Sequence, residues 1–93
     1  MQGKSNSKKY FMKIFGKIIE QHRLISDKSM YLVSAESAIA KSSWREIELG
    51  KRSDLNLSTF CKIAEGLDIP ADVLLKELLD KLEKDFSFTD LNS

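Results

Sequence analysis

The chain has 93 residues, of which 42% are hydrophobic, with a formal net charge of +1 and a single cysteine. This length suits one domain with one modest core, and it leaves too little chain for a deep catalytic cleft between two lobes. One cysteine rules out an internal disulfide, and no apolar run approaches the roughly 18 residues that would predict a membrane span.

The first nine residues are polar and include Lys4, Lys8 and Lys9, so residues 1–9 are predicted to form a flexible basic arm. Such an arm could follow a DNA groove or backbone, and a plain disordered start is the open alternative. Lysine interrupts the apolar stretch that follows, so no secretory signal is apparent. We therefore expect a cytoplasmic protein without membrane contact.

Apolar residues recur at three- and four-residue spacing from about Tyr10 to Ile25, which predicts a first helix. The predicted stripe contains Phe11, Phe15, Ile18, Ile19, His22 and Ile25. His22 is the only histidine, and no second histidine or paired cysteines accompany it. We expect a hydrogen-bonded, partly buried side chain there rather than a metal ligand or a catalytic base.

Ser29 is a good N-cap for a second helix that runs to about Ser37. Its spacing turns Met30, Val33 and Ser37 inward and Tyr31 and Glu36 outward. The segment Ala38-Ile39-Ala40 then turns the chain into a third helix. Two short helices joined by a turn of three or four residues are typical of a helix-turn-helix.

The third helix has two different faces. Ile39, Trp44 and Ile47 line one side at helical spacing, whereas Lys41, Ser42, Arg45 and Glu46 fall on the other, with Ser43 close by. Trp44 is predicted to pack in the core rather than stack on a base. Gly50 ends the helix, and Lys51 and Arg52 put two cations just past that end. This pattern predicts a DNA recognition helix.

Asn56 is the predicted N-cap of a fourth helix. Its apolar face comprises Leu57, Phe60, Cys61, Ile63, Ala64 and Leu67. Cys61 belongs to that face and is the only cysteine of the sequence, so it is predicted to be a structural thiol. Gly66 and Asp68 end the helix, and Pro70 suits the first turn of a fifth helix.

The fifth helix carries an apolar arc that is wider than one small core requires. It contains Val73, Leu74, Leu75, Leu78, Leu79 and Leu82 and is predicted to extend as far as Phe86. We predict a homodimer interface formed by Leu75, Leu78, Leu79, Leu82 and Phe86, with a fuller contribution to the chain's own core as the alternative. The helical domain is predicted to span residues 10–84. The acidic tail, residues 85–93, would fold back or swap onto a partner.

Charge is divided unevenly along the chain. Residues 1–52 hold eleven Lys or Arg against five Asp or Glu, whereas residues 53–93 hold four against nine. A basic half joined to an acidic half suggests one side that faces a polyanion and another that faces elsewhere. Chance segregation on a solvated surface is the alternative.

These residues resemble the phage repressor and Cro-like helix-turn-helix family, also called the xenobiotic-response-element type. The resemblance covers about sixty residues without an insertion. It rests on Gly16-Lys17-Ile18-Ile19, Arg23, Ser29, Ala38, the segment Ile47-Glu48-Leu49-Gly50-Lys51-Arg52 and the helix from Leu57 to Leu67. It implies an all-α, compact bundle of five helices with a helix-turn-helix, which is the fold of lambda-repressor-like DNA-binding domains.

The resemblance also implies roles for individual residues. Arg23 and Glu48 would form a structural ion pair that fixes the third helix against the first. The implied base-reading residues are Lys41, Ser42, Ser43, Arg45 and Glu46. Ser29 and Met30 at the start of the second helix would meet phosphate, as we also expect of Lys51 and Arg52. Ala40 stands where a capping Ser, Thr or Asp is usual, so the third helix should begin without a side-chain cap.

The sequence therefore predicts a bacterial or phage transcriptional regulator, a repressor or controller, that binds an inverted repeat in double-stranded DNA as a homodimer. An antitoxin or a restriction-modification controller lies within this class, and a toxin or antirepressor would be the corresponding protein partner. The alternative is a protein-interaction module that keeps the fold but works through its acidic half. An enzyme is not expected, because the chain lacks a glycine-rich phosphate loop and metal-ligand spacing. No cofactor or metal is predicted.

Overall fold

The computed structural model describes residues 7–90, which form five α-helices and one short 3-10 helix. The α-helices are α1 (Ser7–Ile25), α2 (Met30–Ser37), α3 (Lys41–Glu48), α4 (Leu57–Gly66) and α5 (Ala71–Lys81), and the 3-10 helix is Phe88–Asp90. No strand occurs within this described range. The all-α bundle of five helices that the sequence predicts is confirmed.

The helices enclose one apolar core. α1 packs against α3 and α5, α2 packs against α3 and α4, and α4 packs against α5. The buried side chains are Met12, Phe15, Ile18, Ile19, Val33, Trp44, Ile47, Ile63, Ala64, Leu67, Leu74 and Leu78. Removal of this apolar surface from water is the main force that holds the bundle together, since each fully buried large side chain contributes about 1.5–3 kcal/mol.

Side-chain caps begin two of the helices where the sequence predicts them. The Ser29 hydroxyl accepts a hydrogen bond from the Leu32 amide at 3.0 Å, and the Asn56 side chain accepts one from the Thr59 amide at 2.8 Å. α3 begins after Ala40, which makes no such bond. The start of α3 is therefore less well satisfied than the starts of α2 and α4.

The turn between α2 and α3 depends on a left-handed residue. Ala38 has φ 56° and ψ 41°, and its neighbour Ile39 donates its amide to the Ser34 carbonyl at 3.0 Å. This backbone reversal ends α2 and aims the chain at α3 within three residues. A left-handed alanine is unfavourable in isolation, so the packing of the two helices must hold it.

The ends of α1 and α4 differ from the sequence prediction. α1 begins at Ser7 rather than Tyr10, so Lys8 and Lys9 are helical, whereas residues 1–6 of the predicted arm lie outside the described residues. Ile25 is 80% exposed and Leu57 is 78% exposed, so their predicted inward positions are wrong. Each is the terminal residue of its helix and lies beyond the reach of the core.

The prediction for α5 needs correction at three positions of the proposed interface. Leu78 is only 2% exposed and belongs to the core of its own chain, so it is not available to a second copy. α5 ends at Lys81, because Leu82 adopts an extended backbone with ψ 151°. Leu82 and Phe86 are partly buried within the same chain. Leu75 and Leu79 stay exposed, at 44% and 45%.

The chain after α5 folds back over the start of α1. The Glu83 amide donates to the Tyr10 hydroxyl at 3.0 Å. The Phe86 ring lies 5.6 Å from the Tyr10 ring and 6.2 Å from the Phe11 ring, measured between centroids. The described part of the tail therefore packs against the start of α1 in its own chain. Residues 91–93 lie outside the described range.

Candidate nucleic-acid interface

α3 is attached to the bundle by its inner face. Trp44 and Ile47 are 0% and 1% exposed. Gly16 of α1 lets the two helices approach closely, because a Cβ atom there would lie 2.5 Å from the Ile47 carbonyl oxygen and 2.6 Å from that of Glu48. A side chain at position 16 would push the end of α3 away from α1. The apolar contacts and this glycine together determine how closely α3 packs against α1.

A buried carboxylate sets the orientation of α3. The Glu48 side chain is 2% exposed and accepts hydrogen bonds from Arg23 Nε at 2.6 Å and Arg23 Nη2 at 3.0 Å. Trp44 Nε1 donates to the same carboxylate at 2.5 Å. The structure thus brings together the two residues expected to pair, Arg23 and Glu48. Because the guanidinium binds through two nitrogens, the geometry of the pair is well defined.

The electrostatics of this pair agree with its geometry. The hydrogen bond to Glu48 raises the pKa of Arg23 above its ordinary value, against an opposing effect of burial. Arg23 Nη1 also donates to the Lys28 carbonyl at 3.0 Å, which ties the loop before α2 to the same guanidinium. One arginine therefore links α1, the loop that leads to α2, and the end of α3.

The Trp44 contribution was not predicted from the sequence. The helical spacing of Trp44 predicts a core position for its apolar surface, but it does not identify an acceptor for the indole N–H. Positions 44 and 48 are four residues apart on one helix, where side chains are neighbours. That spacing was the available signal, because a buried tryptophan needs an acceptor for its N–H.

The outer face of α3 is exposed to solvent. Lys41, Ser42, Arg45 and Glu46 are exposed, whereas Ser43 is half-buried. Within residues 7–90, neither Lys41 nor Arg45 has a carboxylate partner, so both cations can donate to an external acceptor. An eight-residue helix is about 12 Å long. The face offers cationic, hydroxyl and acidic groups in a short row.

Glu46, which is predicted to read bases, and Arg52, which is predicted to contact phosphate, form an ion pair in the structure. Arg52 Nη1 lies 3.7 Å from Glu46 Oε1, and the two side chains are 39% and 55% exposed. Exposed pairs of this kind contribute about 0–1 kcal/mol. A phosphate can therefore displace Glu46 from Arg52 at little cost.

The residues predicted to meet phosphate differ in what they can donate. Lys51 is exposed directly after Gly50. Ser29 is exposed, but its hydroxyl oxygen accepts the Leu32 amide. Met30 is partly buried against the core, so only its backbone is available to a phosphate. Because the Val33 amide makes the first backbone bond of α2, the Met30 and Tyr31 amides precede the helix ladder and can bind an anion.

Other polar groups have structural partners. His22 Nε2 lies 2.6 Å from Glu77 Oε1, so the histidine is hydrogen-bonded and partly buried, as predicted. Cys61 is a half-buried free thiol on α4. Among the described residues, no group of three or more His, Cys, Asp or Glu could hold a metal ion. No helix in the same range is long and apolar enough to cross a membrane.

One solved structure has a closely similar fold. It is a mutant of the restriction-modification controller protein C.Esp1396I, with a TM-score of 0.72. The similarity covers 82% of this chain and 95% of that chain at 18% sequence identity. Comparison with protein-family models gives no match, and neither does comparison with curated protein sequences. The all-α helix-turn-helix bundle implied by the sequence resemblance is confirmed, and at this identity the similarity concerns the fold alone.

Proposed function

We propose that the protein is a sequence-specific regulator of transcription that inserts α3 into the major groove of double-stranded DNA. One observation carries the proposal. Trp44, Ile47 and Glu48 hold α3 against the bundle, whereas Lys41 and Arg45 on its opposite face are exposed and have no carboxylate partner among residues 7–90. A rigid helix with a cationic outer face suits a groove about 12 Å wide, whose base pairs each display a distinct set of donors and acceptors.

The exposed groups match the chemistry of base edges. Lys41 and Arg45 can donate to O6 and N7 of guanine, and Ser42 can donate or accept. Glu46 can accept from the exocyclic amine of cytosine once Arg52 has turned to phosphate. Ser43 is half-buried and is the least accessible of the five residues assigned to the bases.

Backbone contacts flank this face. Lys51 and Arg52 follow the end of α3, and the first amides of α2 stand beside Ser29 and Met30. Contacts to phosphate position the protein without reading sequence. We therefore assign affinity to Lys51, Arg52 and the start of α2, and specificity to the outer face of α3.

We further propose that the regulator acts as a homodimer on an inverted repeat, because one such domain buries little surface on DNA. Leu75 and Leu79 on α5 remain exposed. Leu57 and Phe88 extend the same apolar surface, since Leu57, Leu75 and Phe88 line one groove. The two copies would read half-sites about 34 Å apart. A regulator of this kind would act in the cytoplasm on the nucleoid.

The dimer proposal is tested by light scattering over a range of protein concentrations. We expect Leu79→Glu to reduce association, because it puts a charge into an apolar contact between copies. Leu24→Glu is the matched control, since Leu24 is 59% exposed at the end of α1. A wild-type protein that stays monomeric at high concentration and on DNA would refute the dimer.

The central experiment is selection of bound duplexes from a random DNA pool at low and near-physiological salt. We expect recovery of an inverted repeat that survives the higher salt. Sequence-blind binding that vanishes with salt would contradict the proposal and favour the alternative module that binds a protein partner through its acidic half.

The division of roles is tested on the recovered site. Arg45→Ala should cost about 1–3 kcal/mol at one base position, whereas Lys51→Ala should weaken matched and mismatched sites alike. Equal losses on every site for both variants would show that Arg45 does not read bases.

A further inference from the structure

The first turns of α1 and the loop after α3 enclose an open, strongly basic hollow. It is lined by Lys8, Lys9, Lys13, Leu49, Gly50, Lys51, Arg52 and Ser53. Five of these eight residues are Lys or Arg, and none is acidic. This basic hollow was not apparent from the sequence, because its cations come from two segments that only the fold brings together.

Gly50 closes the hollow on one side. Its φ of 71° lies in the left-handed region, and its backbone rests directly against α1. A Cβ atom at position 50 would lie 2.9 Å from Lys13 Cγ and 3.0 Å from Lys13 Cα. The glycine therefore allows the loop that carries Lys51 and Arg52 to meet the helix that carries Lys13.

Few carboxylates of the described residues lie close to the cations of the basic hollow. Lys8 Nζ lies 4.0 Å from Asp54 Oδ2, and Arg52 Nη1 lies 3.7 Å from Glu46 Oε1, so both pairs are long. Within residues 7–90, Lys9, Lys13 and Lys51 have no carboxylate partner. Several positive charges thus converge on one concave surface, and in the described part of the chain only two of the five cations have a carboxylate within 4.0 Å.

Local electrostatics oppose the placement of these lysines. Lys8 and Lys9 lie in the first turn of α1, where the helix dipole disfavours cations, and that turn contains no acidic residue. Lys9 and Lys13 are four residues apart, a spacing at which like charges on a helix repel. Positions that break a local rule without a compensating contact are expected at functional surfaces. A bound anion would relieve both conflicts.

We propose that the basic hollow binds a phosphate group of the DNA backbone beside the groove that α3 enters. This proposal rests on the proposed function. A recognition helix lies in the major groove with its first residues on the base edges, so the hollow at the other end of α3 would lie towards a phosphate strand that borders the groove. Lys9 and Lys13 would then extend the backbone contacts of Lys51 and Arg52 onto α1.

The first test is the salt dependence of binding to a duplex that carries the selected inverted repeat. Each lysine that neutralises a phosphate contributes about 0.9 to the slope of log affinity against log salt, or roughly eightfold in affinity per decade of salt. We expect Lys9→Gln and Lys13→Gln each to reduce the slope by about one per protomer. Lys62→Gln, an exposed lysine on α4 outside the hollow, is the matched control and should leave the slope unchanged.

The second test identifies the phosphate. Single backbone phosphates of the duplex are replaced by neutral methylphosphonates. We expect at least one replacement that weakens wild-type binding but weakens Lys13→Gln no further, because the side chain and the phosphate are partners. Additive losses at every phosphate would overturn the assignment of Lys13.

A free-phosphate arm separates the two sources of the same chemistry. Titration of the protein with inorganic phosphate is followed by the amide resonances of Lys13 and Gly50. Shifts in these resonances, combined with unchanged salt slopes for both glutamine variants, would overturn DNA as the source of the phosphate.

The proposal and the proposed function fail differently. Wild-type protein that selects an inverted repeat, with Lys9→Gln and Lys13→Gln both matching Lys62→Gln, would overturn the basic hollow and leave the proposed function standing. Wild-type protein without sequence-specific binding would overturn the proposed function and this proposal with it.

Discussion

Glu48→Gln offers the sharpest test of how α3 is held. The carboxylate receives three N–H donors, two from Arg23 and one from Trp44. Glutamine supplies one oxygen and an NH₂ group in nearly the same shape. Whichever way the amide turns, its NH₂ faces another donor, so at least one of the three bonds is replaced by an unfavourable contact and Arg23 loses its counter-charge.

The expected cost follows from the burial of the pair. Removal of one partner from a buried ion pair costs about 3–5 kcal/mol. We expect about 3 kcal/mol, the lower end, because the Arg23 side chain is 11% exposed and keeps its bond to the Lys28 carbonyl. A domain of this size has a free energy of unfolding of about 5–14 kcal/mol, so the loss is a large fraction of the total.

The assay is urea denaturation followed by circular dichroism. A loss of about 3 kcal/mol should lower the midpoint by about 1–3 M urea. Glu46→Gln is the matched control on the same helix, because its ion pair with Arg52 is exposed and its loss should cost under about 1 kcal/mol. In the double variant Trp44→Phe with Glu48→Gln, removal of the indole donor should reduce the conflict, giving a coupling of about 1 kcal/mol. If Glu48→Gln were no more destabilising than Glu46→Gln, the carboxylate would not hold α3.

Three further predictions concern stability. Ala40→Ser should supply the missing cap of α3 and raise the free energy of unfolding by about 0.5–2 kcal/mol, seen in thermal denaturation as about 4–8 °C per kcal/mol. Leu74→Ala should lower the free energy of unfolding of the monomer by about 2–5 kcal/mol, because the Leu74 side chain is 0% exposed. Leu75→Ala should lower it by under about 0.5 kcal/mol, because Leu75 is 44% exposed. Equal losses for the two variants in urea denaturation would contradict the observed inner face of α5. Hydrogen bonds to Glu36 and then Asp68 raise the pKa of Lys28 above its ordinary 10.5. A raised folded pKa gives stability that is fully present below the ordinary value and is lost as pH rises through the folded value. The difference in melting temperature between wild type and Lys28→Met should therefore stay constant below the ordinary pKa of 10.5 and shrink as the pH rises above it.

Features with a local cause were predictable from the sequence. The helical spacing of apolar residues gives the five helices and their order, and Ser29 and Asn56 begin α2 and α4 because a cap needs only a side chain and an amide three residues on. The turn at Ala38 was also predictable, because it lies in the short segment between two helical patterns. These features depend on residues within about one helical turn of one another.

Features that depend on tertiary packing were not predictable in the same way. α5 carries leucines at 74, 75, 78 and 79, and these cover so much of the helix that spacing alone does not select the inner face. Packing against α1 and α4 selects Leu74 and Leu78 and leaves Leu75 and Leu79 outside. The start of α1 was missed because polar Lys8 and Lys9 give no apolar signal, although both are good helix formers.

The candidate site also combines features that have a local cause with features that depend on tertiary packing. The opposition of the two faces of α3 follows from its own period, and the resemblance implied that Arg23 pairs with Glu48. The Trp44 bond to Glu48 and the basic hollow depend on distances between side chains that no single period describes. The sequence therefore does not predict a place for Lys13 in the interface.

The two ends of α3 are stabilised very differently, and this has a consequence for recognition. Trp44, Ile47 and Glu48 anchor the second half of the helix, whereas Ala40 leaves the first turn, with Lys41 and Ser42, without a side-chain cap. The uncapped amides at that turn are available to an anion. If a DNA phosphate satisfies these amides, a serine at position 40 stabilises the free protein more than the complex. The affinity for DNA then falls by the factor that corresponds to the difference between these two stabilisations. The absence of a cap at Ala40 then favours binding at the expense of stability.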